Sequence, residues 1–249
     1  MARRPIIASF LASMLCLTAT VGTATASALV VLDVQGESDL RRGDVLEAEA
    51  GLFLSADSRV TLVNEAGEKI EVVGPFQGTV DPPAGAGEPK LVETMAALFQ
   101  SNRVPDAVRT YRTFGNSTPG PWAYVPAEGG NYCFDDPDNL SLWRQANDRD
   151  DKVLFQSPGG EAAVKWQRGQ AVLDWPVDLP RDNGQSYDLA INGGPTVGLT
   201  LLRVPITMPT RMHAAAWMSE NGCPNQALLL ALTADVDRLL EGLGKAGKF

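Results

Sequence analysis

Residues 40–75 constrain the fold of this chain more than any other segment, and they read LRRGDVLEAEAGLFLSADSRVTLVNEAGEKIEVVGP. Three short runs rich in β-branched and apolar residues lie at 52–54, 60–63 and 70–73, and turn-forming residues separate them. Runs of strand length joined by polar turns predict a compact β-meander. None of its residues forms a pattern typical of a catalytic centre.

The first residues have the order of charge, apolar core and small residues that is typical of a secretory signal. Two arginines precede an apolar run at residues 5–21, and small residues follow at 24–28. We expect residues 1–26 to be a signal peptide, with cleavage after Ala26 or Ala28. The mature chain is then periplasmic or secreted.

Two other interpretations of this segment are an uncleaved membrane anchor and a lipoprotein attached through Cys16. Serines and threonines interrupt the apolar run, which falls short of the roughly 20 strongly apolar residues of a membrane-spanning helix. Leu15 stands before Cys16, where lipid-modification signals have a small residue. Later segments are too short and too polar to span a bilayer, so we expect no transmembrane segment in the mature chain.

The acidic composition argues against binding to polyanions. The whole chain has 21 Lys and Arg against 30 Asp and Glu, a formal net charge of −9. Loss of the signal removes two arginines and no acidic residue, which lowers the charge to −11. We therefore expect no binding to nucleic acid or to anionic lipid.

Export leaves two cysteines, Cys133 and Cys223, and an even pair in an oxidising compartment predicts a disulfide. The bridge would close a loop of 90 residues, worth roughly 4 kcal/mol by the chain-entropy model. Two free thiols or one reactive cysteine are the alternatives. A reactive or metal-binding thiol needs partners, and the chain has one histidine, His213, and no C-x-x-C spacing.

The patterns predict a mainly β protein, α+β overall, with helical additions. After the signal the chain divides into four segments. These are a β-rich domain at 29–80, a linker with an amphipathic helix at 81–117, a β-sandwich-like domain at 118–210 and C-terminal helices at 211–249, packed on the second domain.

Seven strand-like runs with turn clusters between them favour a sandwich in the second domain. They lie at 131–134, 140–143, 153–155, 162–166, 171–175, 186–191 and 200–204. The linker helix is predicted over 91–102, with a further helical turn over 105–111. A C-terminal helical hairpin is predicted over 211–220 and 224–243, around the break at Asn221-Gly222.

The first β-rich domain resembles the FecR-type periplasmic domain of bacterial envelope proteins. Glycine turns and alternating apolar positions carry this resemblance over residues 29–80. The matching residues are Leu40, Gly43, Asp44, Leu46, Leu52, Leu54, Ser55, Val60, Leu62, Gly67, Ile70, Val72, Gly74 and Pro75.

The resemblance implies an exported module that senses, binds or scaffolds. FecR-like regulators combine this domain with a cytoplasmic segment that acts on a sigma factor and with one transmembrane helix, and this chain has an apparent signal in their place. A direct anti-sigma role is therefore not implied. Residues 172–176 and 187–189 are also similar to the Ig-like sandwiches found beside such modules.

Acidic residues supply one candidate chemistry. Asp135, Asp136, Asp138 and Asn139 offer oxygen ligands of the kind calcium uses, and three further aspartates lie at 148–151. The EF-hand spacing is missing, so we favour a solvated loop with ordinary turn chemistry. Use of the same carboxylates in glycoside hydrolysis is the catalytic alternative.

His213 and the tryptophans are the remaining candidates for functional residues. His213 has no Gly-x-Ser-x-Gly elbow to serve, which favours a surface or packing role. Trp143, Trp166 and Trp175 lie in predicted strands, where core packing is favoured over a sugar- or peptide-binding groove. Trp122 and Trp217 lie at the edges of the same region.

Together these patterns favour an exported non-catalytic binding or scaffolding protein of the bacterial cell envelope, an accessory of a signalling or assembly system. We expect a protein partner in the envelope, no cofactor, no metal and no catalytic residues. The alternatives are an envelope polysaccharide hydrolase that uses the acidic-loop carboxylates and a purely structural subunit of an envelope assembly.

Overall fold

The structure, a computed structural model, describes residues 28–47, 49–80, 87–101, 120–126, 129–145 and 148–233. It is mainly β with several sheets and a few helices, which confirms the predicted β-rich α+β class. The predicted signal peptide, most of the linker, the helical turn at 105–111 and residues 234–243 of the last predicted helix lie outside the described residues.

The first β unit consists of a four-stranded antiparallel sheet and a two-stranded sheet. The larger sheet has the order β2-β1-β4-β5, and β3 pairs with β6 in the smaller one. The strands are β1 (Ala28–Gln35), β2 (Val45–Glu47), β3 (Gly51–Leu54), β4 (Arg59–Asn64), β5 (Lys69–Val73) and β6 (Phe76–Thr79).

The three strands predicted in residues 40–75 form at the expected positions, but they do not make a simple meander. Strand β4 pairs with β5 and with β1, whereas β3 pairs with β6. In the tight turn between β3 and β4, Asp57 has a φ of 66°. The Ser58 hydroxyl donates to the Glu37 carbonyl at 2.8 Å, which ties this turn to the segment after β1, the strand with which β4 pairs. Gly74 approaches this turn so closely that a Cβ would overlap the Ser55 carbonyl.

The second β unit is a sandwich of a five-stranded and a three-stranded sheet. Their orders are β11-β10-β13-β14-β8 and β12-β9-β7. The strands are β7 (Ala123–Tyr124), β8 (Gly130–Phe134), β9 (Ser141–Trp143), β10 (Asp151–Ser157), β11 (Gly160–Trp166), β12 (Val172–Asp174), β13 (Ser186–Ile191) and β14 (Val197–Arg203).

All seven strands predicted in this domain are present, and β7 is the one that the sequence pattern misses. The sandwich buries a core of aromatic and branched side chains, among them Tyr132, Phe155 and Trp166. Trp175 lies at its centre and makes edge contacts with Phe155 and Tyr187, at ring-centroid distances of 5.0 and 4.9 Å. Such aromatic contacts add to the stabilisation from burial alone.

Helices fill the space between the two β units. Helix α1 spans Pro89–Gln100, α2 spans Arg211–Glu220, and residues 224–233 form the described part of a third helix, α3. The buried face of α1 packs on Val30, Leu32 and Val63 of the first sheet and belongs to one apolar cluster with α2, α3, Cys133 and Val204. We call this cluster the helical core. Among the described residues no helix combines the length and the apolar character needed to cross a membrane.

The junction of α3 with the sandwich combines a covalent and a polar link. The Cys133 and Cys223 sulfurs are at bonding distance, 2.09 Å, which fits the predicted disulfide. Next to it, the buried Gln226 carboxamide accepts from the Cys133 N–H at 2.9 Å and donates to the Cys133 carbonyl at 2.8 Å and to the Pro121 carbonyl at 3.1 Å. This side chain satisfies the backbone at the outer edge of β8.

Replacement of Gln226 by leucine removes all three bonds and leaves a buried N–H and two carbonyls without their partner. We expect a loss of about 1–3 kcal/mol in the free energy of unfolding, measured by urea denaturation of the oxidised protein. Gln77→Leu, at an exposed position in β6, is the matched control and should change stability little. Equal losses in both variants would show that the Gln226 bonds do not stabilise the junction.

Candidate functional site

The helical core leaves a small cleft between α1 and α2, which we call the interhelical cleft. It has a volume of about 150 Å³, and its walls include Lys90, Met208, His213, Trp217 and Glu220. A space of this size admits a few waters or one small ring.

The polar groups around the interhelical cleft bond mainly to one another. Lys90 Nζ lies 2.9 Å from Glu220 Oε1, and the Thr94 hydroxyl donates to the same oxygen at 3.2 Å. The hydrogen bond from Lys90 holds the pKa of Glu220 below its usual range, and the same pairing raises the pKa of Lys90. His213 Nδ1 lies 2.8 Å from the Thr210 hydroxyl, the N-cap of α2. These groups stabilise helix contacts and ends rather than a reacting centre.

A larger concave surface, which we call the sheet groove, lies over the five-stranded sheet. Its volume is about 540 Å³, and its lining comes from β8, β10, β13, β14 and the turn after β10. The strand register places Gln156 beside Asp188, Asp188 beside Gly198, and Ser186 beside Thr200. The groove therefore offers amide, hydroxyl and carboxylate groups on a rigid sheet.

Gly198 forms part of the wall of the sheet groove. A Cβ at this position would come no closer than 3.7 Å to another atom, the Asp188 Oδ1. The backbone there is ordinary extended strand, so that larger residues fit without strain. A glycine within a strand destabilises the fold by roughly 0.5–1 kcal/mol relative to alanine. Because Gly198 has no side chain, this part of the groove stays open.

The structure places the acidic residues singled out by the sequence in separate structural roles. Asp136 Oδ1 accepts from the Asp138 N–H at 3.0 Å and caps a short 3-10 turn, Pro137–Asn139. Asp138 lies 3.4 Å from Arg181 Nη1. Across the described residues, no group of three or more His, Cys, Asp or Glu side chains is placed to hold a metal ion.

Two aspartates of the 148–151 segment also have cationic partners. Asp150 lies 2.7 Å from Lys165 Nζ, and this hydrogen bond lowers the pKa of the carboxyl. Asp151 is buried and pairs with Arg144 and Arg149, while the Asn192 carboxamide donates to it at 2.6 Å. The carboxylate of Asp151 therefore anchors the start of β10.

Sequence reasoning identified neither arginine of this arrangement, and Arg144 is the more buried of the two. Its guanidinium bonds to Asp151, donates to the Gln167 carbonyl at 2.8 Å and stacks 4.6 Å from the Trp166 ring. The sequence shows an arginine just after the Trp143 strand, but only the pairing of the sandwich brings it to Asp151.

The tryptophans divide between the core and its borders. Trp166 and Trp175 are buried in the sandwich, as core packing predicts, and Trp143 is half-buried. Trp122 and Trp217 are half-buried against the helical core. The described positions do not assemble these rings into a common groove, since Trp217 alone borders a cleft described above.

Comparison of the chain with models of known protein families, with curated proteins and with solved structures gave no match.

Because Arg144 and Arg149 differ in burial, we expect their replacement to lower the free energy of unfolding by different amounts. Arg144→Met leaves a buried carboxylate without its buried partner, and we expect a loss of about 3 kcal/mol in the free energy of unfolding. Arg149 is 71% exposed, and its replacement by methionine should cost less than about 1 kcal/mol. Chemical denaturation of the two variants checks this, and equal costs would contradict the structural role of Arg144.

Proposed function

We propose that this chain is an exported, non-catalytic binding or scaffolding protein of a bacterial cell envelope, with a protein partner as its ligand. The observation that carries the proposal is the sheet groove, a wide concave surface with amide, hydroxyl and carboxylate groups. It lies on a sandwich that a shared helical core and the Cys133–Cys223 pair fix to a second β unit. A rigid, preformed surface reduces the entropy cost of binding.

The compartment is inferred from two independent features. Residues 1–28 have the charge, core and cleavage-site order of a signal peptide. The two cysteines outside this segment lie at disulfide distance, and such bonds persist in oxidising compartments. Both features support a periplasmic or secreted protein.

The engaged carboxylates support a role without catalysis. The hydrolase interpretation depends on Asp135, Asp136 and Asp138. The first two accept from backbone N–H groups, and Asp138 lies 3.4 Å from Arg181 Nη1. His213 bonds to Thr210 at the start of α2, far along the chain from these residues. Catalysis by paired carboxylates needs one carboxyl that donates a proton and a second that acts as base or nucleophile, on the two sides of the glycosidic bond.

The first β unit supplies the proposed FecR-type module. Strands β2, β3, β4 and β5 contain all the apolar positions that carry the resemblance except Leu40, and Gly43 and Gly67 take positive φ angles in turns. The Gly67 turn lies against Thr210 and His213 at the start of α2. We propose that this unit scaffolds the partner-binding sandwich through the helical core.

Export can be checked on the protein isolated from its own cells. Mass spectrometry should find an amino terminus at Ser27 or Leu29 in the periplasmic or secreted fraction, with Cys133 and Cys223 resistant to alkylation until reduced. Cytosolic protein that retains Met1 and has two reactive thiols would contradict the proposal.

Partner binding can be tested by filling the sheet groove. Gly198→Tyr places a ring in the groove at a position where the backbone accepts a side chain, so folding should be unaffected or slightly improved. We expect this variant to lose the envelope protein that cross-links to the wild-type chain in intact cells.

The control is Arg203→Tyr, an exposed position on the same strand outside the groove. Equal cross-linking of both variants would exclude the groove as the binding surface. Absence of any cross-linked partner from the wild-type chain would favour a different function.

A further inference from the structure

The two edges of the five-stranded sheet differ in how they are covered. At the β8 edge, the Gln226 side chain bonds to the Cys133 N–H and carbonyl. At the opposite edge, β11 runs for seven residues, and among the described residues only β10 pairs with it. An open strand of this length is a template for pairing with another strand.

The register identifies which backbone groups of β11 face outward. The Lys152 carbonyl accepts from the Asn192 N–H at 2.8 Å, so the even-numbered residues of β10 bond towards β13. The odd-numbered residues of β10 therefore bond to β11, where their partners are Gly160, Ala162, Val164 and Trp166. Glu161, Ala163 and Lys165 remain, and their N–H and carbonyl groups point away from the sheet.

The side chains of this edge are complementary to themselves. In an antiparallel pair of β11 strands centred on Ala163, Glu161 lies opposite the partner's Lys165 and Lys165 lies opposite the partner's Glu161. The half-buried Ala162 and Val164 face each other on the core side. Registers centred on Glu161 or on Lys165 instead place like charges directly opposite each other, which is unfavourable.

Charges within the chain favour the same arrangement. Lys165 lies directly opposite Lys152 in β10, and a carboxylate from a second copy would compensate this pair of like charges. Lys165 is 66% exposed and pairs with Asp150, itself 45% exposed. Exposed ion pairs contribute little, so that Lys165 can share its charge with a second carboxylate at small cost.

We propose that two copies of this chain associate through their β11 edges, antiparallel and centred on Ala163, to form one continuous ten-stranded sheet. The arrangement has two-fold symmetry and uses both open edges, so it closes at the dimer. This proposal does not depend on which ligand binds in the sheet groove.

Charge reversal tests the register. In sedimentation experiments on the mature oxidised protein at low salt, Glu161→Lys and Lys165→Glu should each weaken the dimer about tenfold or more, because two symmetric pairs become repulsive. The double variant Glu161→Lys/Lys165→Glu should restore wild-type affinity. Arg203→Glu, with the same charge change on the interior strand β14, is the control, and thermal unfolding of each variant checks folding.

Cross-linking tests the same geometry when the dimer is weak. The Cα atoms of a hydrogen-bonded antiparallel pair lie about 5.5 Å apart, within the range of a disulfide. Ala163→Cys should therefore form a covalent dimer on oxidation, and Glu161→Cys should do so much more slowly. The proposal would be overturned by a wild-type chain that is monomeric at its solubility limit, by single charge variants with unchanged affinity, or by a double variant without restored affinity. Equal cross-linking rates of Ala163→Cys and Glu161→Cys would also overturn it.

Discussion

The burial of α1, α2 and α3 between two β units is the constraint on which the rest of the structure depends. Neither the four-stranded sheet nor the sandwich closes its own apolar surface, because Val30, Leu32 and Val63 on one side and Cys133 and Val204 on the other face the helices. The helices shield both at once, and their removal would expose two sheets rather than one. The Cys133–Cys223 and Gln226 links act where this shared core meets the sandwich.

Local patterns were sufficient to predict most elements. The seven strand-like runs of the second domain and the helix over 211–220 agree with the structure because period-2 alternation, Gly and Pro turns and the helix break at Asn221-Gly222 are all local signals. Local patterns did not predict which strands pair with each other. The β3–β6 pair and the parallel β14–β8 pair depend on contacts between residues distant in sequence, and β7 has two residues and no periodicity.

The candidate site was less accessible to sequence reasoning than the fold. The acidic residues were visible as a cluster along the chain, but the structure divides them between a turn cap, Arg181, Lys165 and Arg144. Conversely, the sheet groove takes ordinary polar residues from four strands and one turn. Such residues carry no motif, since only the sheet register brings Gln156, Asp188 and Gly198 side by side.

The carboxylates of this chain, whose net charge is −9, divide between structural ion pairs and the open sheet groove. Within the described part of the chain, the buried carboxylate of Asp151 is paired at the start of β10, whereas Asp188 lines the groove on an exposed strand position. Buried charges need partners to offset desolvation, but exposed ones remain available to a ligand. The sandwich thus has its structural ion pairs at the start of β10 and at the 3-10 turn, away from the groove residues in the middle of the sheet. The binding that we propose in the groove would therefore leave the pairs that stabilise the fold intact.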